Sequence, residues 1–163
     1  MVDIVKPDFA AARVHLEESL RRNRAGGDAF GIGWDLHILG LGDAAEGQIN
    51  AAAARFREGL DIFIRSGDRG GILILLADFA ILANRRGEEE RYWRLSGAVN
   101  AERLKTGADL ILSPISEIEW RVPDRPAEGS ETARLWAEGE RMSSDEAIAY
   151  ALDDDDAGAT ASN

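Results

Sequence analysis

The sequence predicts an all-α protein, a helical repeat of the α-α superhelix type with a 40-residue period and about seven helices. Three observations carry this expectation. Shifted by 40 residues, the chain matches itself in register: Phe9 falls on Ile49, Ala12 on Ala52, Leu16 on Phe56 and Leu20 on Leu60. Turn residues recur in the same register, Gly27 on Gly67 and Gly107, and Asp28 on Asp68. Between them the apolar residues follow the three-and-four spacing of an amphipathic helix.

The elements follow in order. A helix is expected over about 8–24, where Phe9, Ala12, Leu16 and Leu20 share a face. Gly27 then closes its last turn in a left-handed conformation, and Asp28 caps the next helix, over 29–46. Gly47 breaks the chain before a partner helix over 49–65. The cycle repeats with Gly67, Asp68, a helix over 69–85, Gly87 and a helix over 88–105. Gly40 and Ala80 are small in mid-helix. Glycine there costs ~1 kcal/mol in helix propensity, so close helix packing is the expected reason for it. Pro114, Pro123 and Pro126 break a looser stretch over 106–130. A helix over 131–140 follows, and Ser143 with Glu146 forms a capping box for a last helix reaching about 152. The matched units are thus 8–27, 28–67 and 68–107, with a closing segment over 108–152, all in one domain over 1–152.

Composition bounds the function. With 45% hydrophobic residues in 163, the chain can bury a core. The apolar stretch over 71–83 is short of the ~18 residues a membrane span needs and is interrupted by Asp78. There is no cysteine, which excludes disulfides and thiolate metal sites and fits a cytoplasmic protein. The start, MVDIVKPD, lacks the apolar core of a secretory signal. A net charge of −11 repels phosphate backbones, so direct nucleic-acid binding is not expected. Asp153, Asp154, Asp155 and Asp156 open an acidic tail over 153–163 that reads as disordered; it lacks the spaced ligands and turn glycine of a calcium loop.

The stretch WDLHILGLGDAAEGQINAAAARFREGLDIF resembles the tetratricopeptide signature. Leu36, Leu39, Gly40, Gly47, Ala52 and Phe56 fall on its positions, with Gly59 where a small residue is usual. The closer likeness is to long-period repeats at the C-terminal end of large bacterial regulators, signal-transduction ATPases and LuxR-type transcriptional regulators. LWAEGERMSSDEAIAYALDD is similar to their closing segment at Trp136, Ala137, Glu138, Gly139, Met142, Ser143, Glu146, Ala147 and Ala151. The resemblance covers about 8–153. It implies a sensor or scaffold portion of a regulator, without the ATPase or DNA-binding activity found elsewhere in such proteins. No G-x-x-x-x-G-K-[ST] loop and no basic recognition helix is present. Tyr92 and Ser96 depart from the family's small and apolar residues, and the helix before the closing segment is shortened around 120–131. Both suggest a degenerate capping repeat.

In that family the first helix of each pair lines a concave groove. The resemblance therefore implies that Trp34, His37 and Leu41 face it, joined one repeat on by Ile74, Ala77, Ile81, Asn84 and Arg85. An apolar strip edged by an amide and an arginine suits a protein or peptide partner, or a small ligand. The apolar chain from Leu110 to Ile118 is an equal candidate to fill the same groove. His37 is expected as a partly exposed surface residue and His15 as solvent-facing. The run Glu88, Glu89, Glu90 beside Arg85, Arg86, Arg91 and Arg94 reads as a helix start laced with ion pairs. No serine sits in a nucleophile-elbow context. The expectation is a non-catalytic binding module with no cofactor and no metal. The alternative is structural self-association. The first matched helix is the second of a pair, and only MVDIVKP precedes it, too short for a helix of ~15 residues. Its open end, with Phe9, Ala12, Val14 and Leu16, is expected to be covered, a homodimer being one way.

Overall fold

In the computed structural model, residues 9–107 and 123–153 are described. Among them lie seven helices and no strand: α1 Phe9–Gly26, α2 Ala29–Ala45, α3 Ile49–Ser66, α4 Arg69–Arg86, α5 Glu89–Thr106, α6 Glu131–Glu140 and α7 Ser144–Leu152. The expected bounds hold to within about two residues.

The turn chemistry accounts for where the first five helices stop and start. Gly27, Gly47, Gly67, Gly87 and Gly107 all have positive φ, between 64° and 79°. Such a conformation suits glycine because it has no Cβ to clash. Asp28 accepts a hydrogen bond from the Gly31 N–H at 3.0 Å, and Asp68 one from Gly71 at 2.9 Å. Each satisfies one of the amides that a helix N-terminus leaves unpaired. Gln48 and Glu88 cap α3 and α5 without such a side-chain bond.

From α1 to α6 each helix packs on the next, and α2 also packs directly on α4. Phenylalanines of α3 organise this packing. The Phe56 ring lies on Gly40, where any Cβ would overlap it. The Phe63 ring lies against both Gly33 of α2 and Gly71 of α4, which have no room for a side chain for the same reason. Phe56 also meets Phe79 edge to face at 6.1 Å. These rings are fully buried with Leu60, Leu75, Leu76 and Leu95. Burying each such side chain contributes about 1.5–3 kcal/mol.

The closing helices are fastened differently. α6 crosses α5 at Gly97 and Gly139, each pressed against backbone carbonyl of the other helix, at Trp136 and Arg94 respectively. Trp136 is buried and its ring lies 6.4 Å from that of Trp93. α7 starts at the expected capping box: Ser143 N–H donates to the Glu146 carboxylate at 2.7 Å, and Glu146 N–H to the Ser143 hydroxyl at 3.2 Å. Its far end is held by arginines of other helices. Arg57 donates to the Leu152 carbonyl at 3.1 Å and Arg91 to the Ala151 carbonyl at 2.9 Å.

The crossing yields a direct test. Gly97→Ala should lower stability by about 3 kcal/mol in urea unfolding, because backbone cannot yield as a flexible side chain can. Gly26→Ala, at a site with nothing within 4 Å, should leave stability unchanged or slightly raised.

Candidate functional site

The best-defined arrangement lies on one face of α2, where Phe30, Trp34 and His37 follow each other at helical spacing. Phe30 is 62% exposed. It stacks on Trp34 with centroids 6.2 Å apart and rings 12° from parallel. Trp34, half-buried, lies 5.3 Å from the His37 ring. His37 is itself buried, and its Nδ1 is 2.6 Å from Oδ2 of Asp78 on α4. The run thus leads from solvent to a buried polar pair in the α2–α4 contact. Burial raises the Asp78 carboxyl above its ordinary value, and the charge and hydrogen bond of His37 oppose that rise.

His37 is therefore not the partly exposed surface residue that its sequence context suggests. The physical reason is the absence of a polar side on its helix. Every residue over 35–44 of α2 and over 75–83 of α4 is buried. Of the other groove candidates, Leu41, Ala77 and Ile81 are buried as well, and Ile74 is half-buried. Asn84 and Arg85 are exposed at the C-terminal end of α4. The middle of the implied open strip is in fact enclosed, and it is accessible at Phe30 and Trp34 near the start of α2 and at Asn84 and Arg85 near the end of α4. Leu110 to Ile118, the alternative occupant, lie outside the described residues. Phe30 is absent from the sequence-derived set. Its position four residues before Trp34 was the available signal.

The remaining buried carboxylates of α2 are explained by structure. Asp43, 1% exposed, is held by Arg13 of α1 at Oδ1 and by Arg55 of α3 at Oδ2, both at 2.6 Å. It ties three helices together, and the hydrogen bond to Asp43 raises the Arg13 pKa. Asp35 accepts from the Asn23 amide of α1 at 2.8 Å. At the start of α5, Arg94 pairs with Glu90 at 3.0 Å and with Glu138 of α6 at 2.8 Å, the ion-pair lacing expected there. No group of three or more histidines, cysteines or carboxylates is set to hold a metal among the described residues. No helix among them is long and apolar enough to cross a membrane.

At the other candidate surface, Leu16 of α1 is half-buried against Leu20, Leu36 and Leu39. Ala12 is exposed and Val14 is 66% exposed. The Phe9 side chain lies outside the described residues. His15 faces solvent, as expected. Around Val14 the surface is polar, and Glu18 pairs with both Arg21 and Arg22 at 2.7 Å.

The two kinds of ion pair should separate on mutation. Asp43→Ala takes the carboxylate from two half-buried guanidinium groups, leaving Arg13 only Glu46, and should cost about 2 kcal/mol in thermal unfolding. Arg21→Ala, at the surface, should stay within about 0.5 kcal/mol of the parent.

No family model, curated protein or solved structure matches this chain, so the functional reading rests on the residues themselves.

Proposed function

We propose that this chain is a non-catalytic binding module. It takes a peptide or helical segment of a protein partner at the end of the α2–α4 inner face marked by Phe30 and Trp34. One observation carries the reading: a large aromatic side chain, Phe30, stands 62% exposed and stacked on a second, Trp34. Rings held in place by neighbours lose little freedom on binding and supply much of the contact area in interfaces. The pinned His37 beneath them keeps the pair in register with α4. The resemblance to repeat ends of bacterial regulators favours a cytoplasmic sensor or scaffold role in signalling or transcription. The net charge of −11 favours a partner other than nucleic acid.

Val14, exposed at 66% on α1, favours a second reading, homodimerisation through that surface. The ion-paired surface around it supports the inner face as the primary site.

A random peptide library displayed against the chain tests the first reading. Enriched peptides should lose at least tenfold in affinity on Phe30→Ala or Trp34→Ala, the loss expected of an aromatic anchor worth about 2 kcal/mol. Absence of enriched peptides, or binding indifferent to both substitutions, would contradict it. Sedimentation tests the second. A dimer dissociated by Val14→Asp supports it, and a monomeric mass at high concentration removes it.

A further inference from the structure

The helix α7 rests on α4 between α3 and α5. It runs antiparallel to α5. At its start the Ser144 hydroxyl donates to the Glu102 carboxylate, near the end of α5. At its end the Arg91 guanidinium lies over the Tyr150 ring, 5.1 Å from its centroid. Arg91 of α5 and Arg57 of α3 donate to its last carbonyls. Its buried face is small, Ala147 and Ala151, and joins the core against which Ile72 of α4 also packs. Moved back by 40 residues, this seat becomes the space between α1 and α3 over the start of α2. Ile72 becomes Ile32, Glu102 becomes Ile62 and Thr106 becomes Ser66. There the structure has an open cleft of about 470 Å3, whose lining includes Arg24, Ile32, Glu58, Ile62, Arg65 and Ser66. Ile32 and Ile62 are half-buried against Leu20, Leu36 and Leu39 and form its apolar floor. Ile32 is two residues from Phe30 and so lies on the other side of α2.

We propose that the α1–α3 cleft is a second docking site, which takes a short amphipathic helix of a partner protein with small apolar side chains along one face. This goes beyond the reading of the aromatic end and does not depend on it. Units that match at one period present equivalent grooves to whatever packs on them. The groove whose occupant is visible holds a helix of this form: Ala147 and Ala151, at i and i+4, share one face and let α7 approach closely.

The differences between the two grooves specify the partner. Ile62 replaces Glu102, so the docked helix meets an apolar side chain where α7 makes a hydrogen bond. Glu17 and Ala51 stand where Arg57 and Arg91 hold the last carbonyls of α7. An exposed carboxylate there disfavours the negative end of a helix. The partner helix therefore carries Lys or Arg in its last turn. The same exchange keeps α7 in its own seat. The Arg24–Glu58 ion pair joins the two walls of the cleft, with side chains 50% and 45% exposed. A pair this exposed opens at little cost.

Titration of the 15N-labelled full chain with a helical peptide provides the test. The probe is an end-capped peptide covering 143–153, SSDEAIAYALD, with Ala149→Lys to place a cation in its last turn. The amides of Ile32, Ile62 and Ser66 should shift saturably, and those of Arg91 and Arg94, beside the seat of α7, should stay in place. Ile62→Glu gives the cleft the residue type of that seat and should weaken binding about fivefold. Should this variant not fold, Glu17→Lys at the exposed rim decides, with a loss of about threefold expected. No saturable shift, shifts confined to the seat of α7, or an affinity indifferent to these substitutions would overturn the proposal. So would a peptide-free assembly, seen in sedimentation, that Ile62→Glu dissociates, because the cleft would then belong to a second copy of the chain.

Discussion

The structure depends on the enclosure of α2 and α4. Over 35–44 and 75–83 neither helix has an exposed residue. Each of these stretches exceeds two turns, so the burial reaches every side. A helix of this kind cannot lie on a surface, and its neighbours are arranged to cover it. α1 and α3 flank α2, and α3 and α5 flank α4, with α7 added on the α4–α5 side. The glycines of α2 and α4 follow from the same demand. Gly33, Gly40 and Gly71 let the rings of Phe56 and Phe63 reach the helix backbone, giving up helix propensity in exchange for contact.

Enclosure also decides what the polar groups on these helices can be. A carboxylate inside such a contact must find a partner or lose its charge. Asp43 has two arginines, Asp35 an amide, and Asp78 only His37 among the described residues. The first two are met by donors from flanking helices and make those contacts directional. The third is met by a side chain of the neighbouring helix, the His37 ring at 2.6 Å. The fold thus combines structural ion pairing and a buried histidine–carboxylate contact within one helix pair. Phe30 and Trp34 emerge from that pair near the start of α2.

Much of this was legible in the sequence, and the reasons are local. Gly27, Gly67 and Asp68 act through their own backbone and the next turn, so their roles could be read without tertiary information. The period of 40 then located the helices and paired Gly40 with Ala80 as close-packing positions. The charged groups inside the apolar helices were not legible. Asp78 read only as an interruption of an apolar stretch, and His37 as a surface residue, because their partnership spans 41 positions and no local pattern announces it. Asp43 bridging Arg13 and Arg55 is hidden for the same reason. The enclosure of Leu41, Ala77 and Ile81 was not legible either, because it depends on packing around whole helices. Phe30 gains meaning only once Trp34 is seen beneath it.

Amide hydrogen exchange under native conditions tests the central claim of an enclosed α2–α4 pair most directly. The slowest amides should lie over 35–44 and 75–83, exchanging only with global unfolding, while those of α1 and α7 exchange earlier through local opening. If the most protected amides lie instead in α5 and α6, or if α2 exchanges as fast as α1, the enclosed pair is not what the rest of the structure depends on.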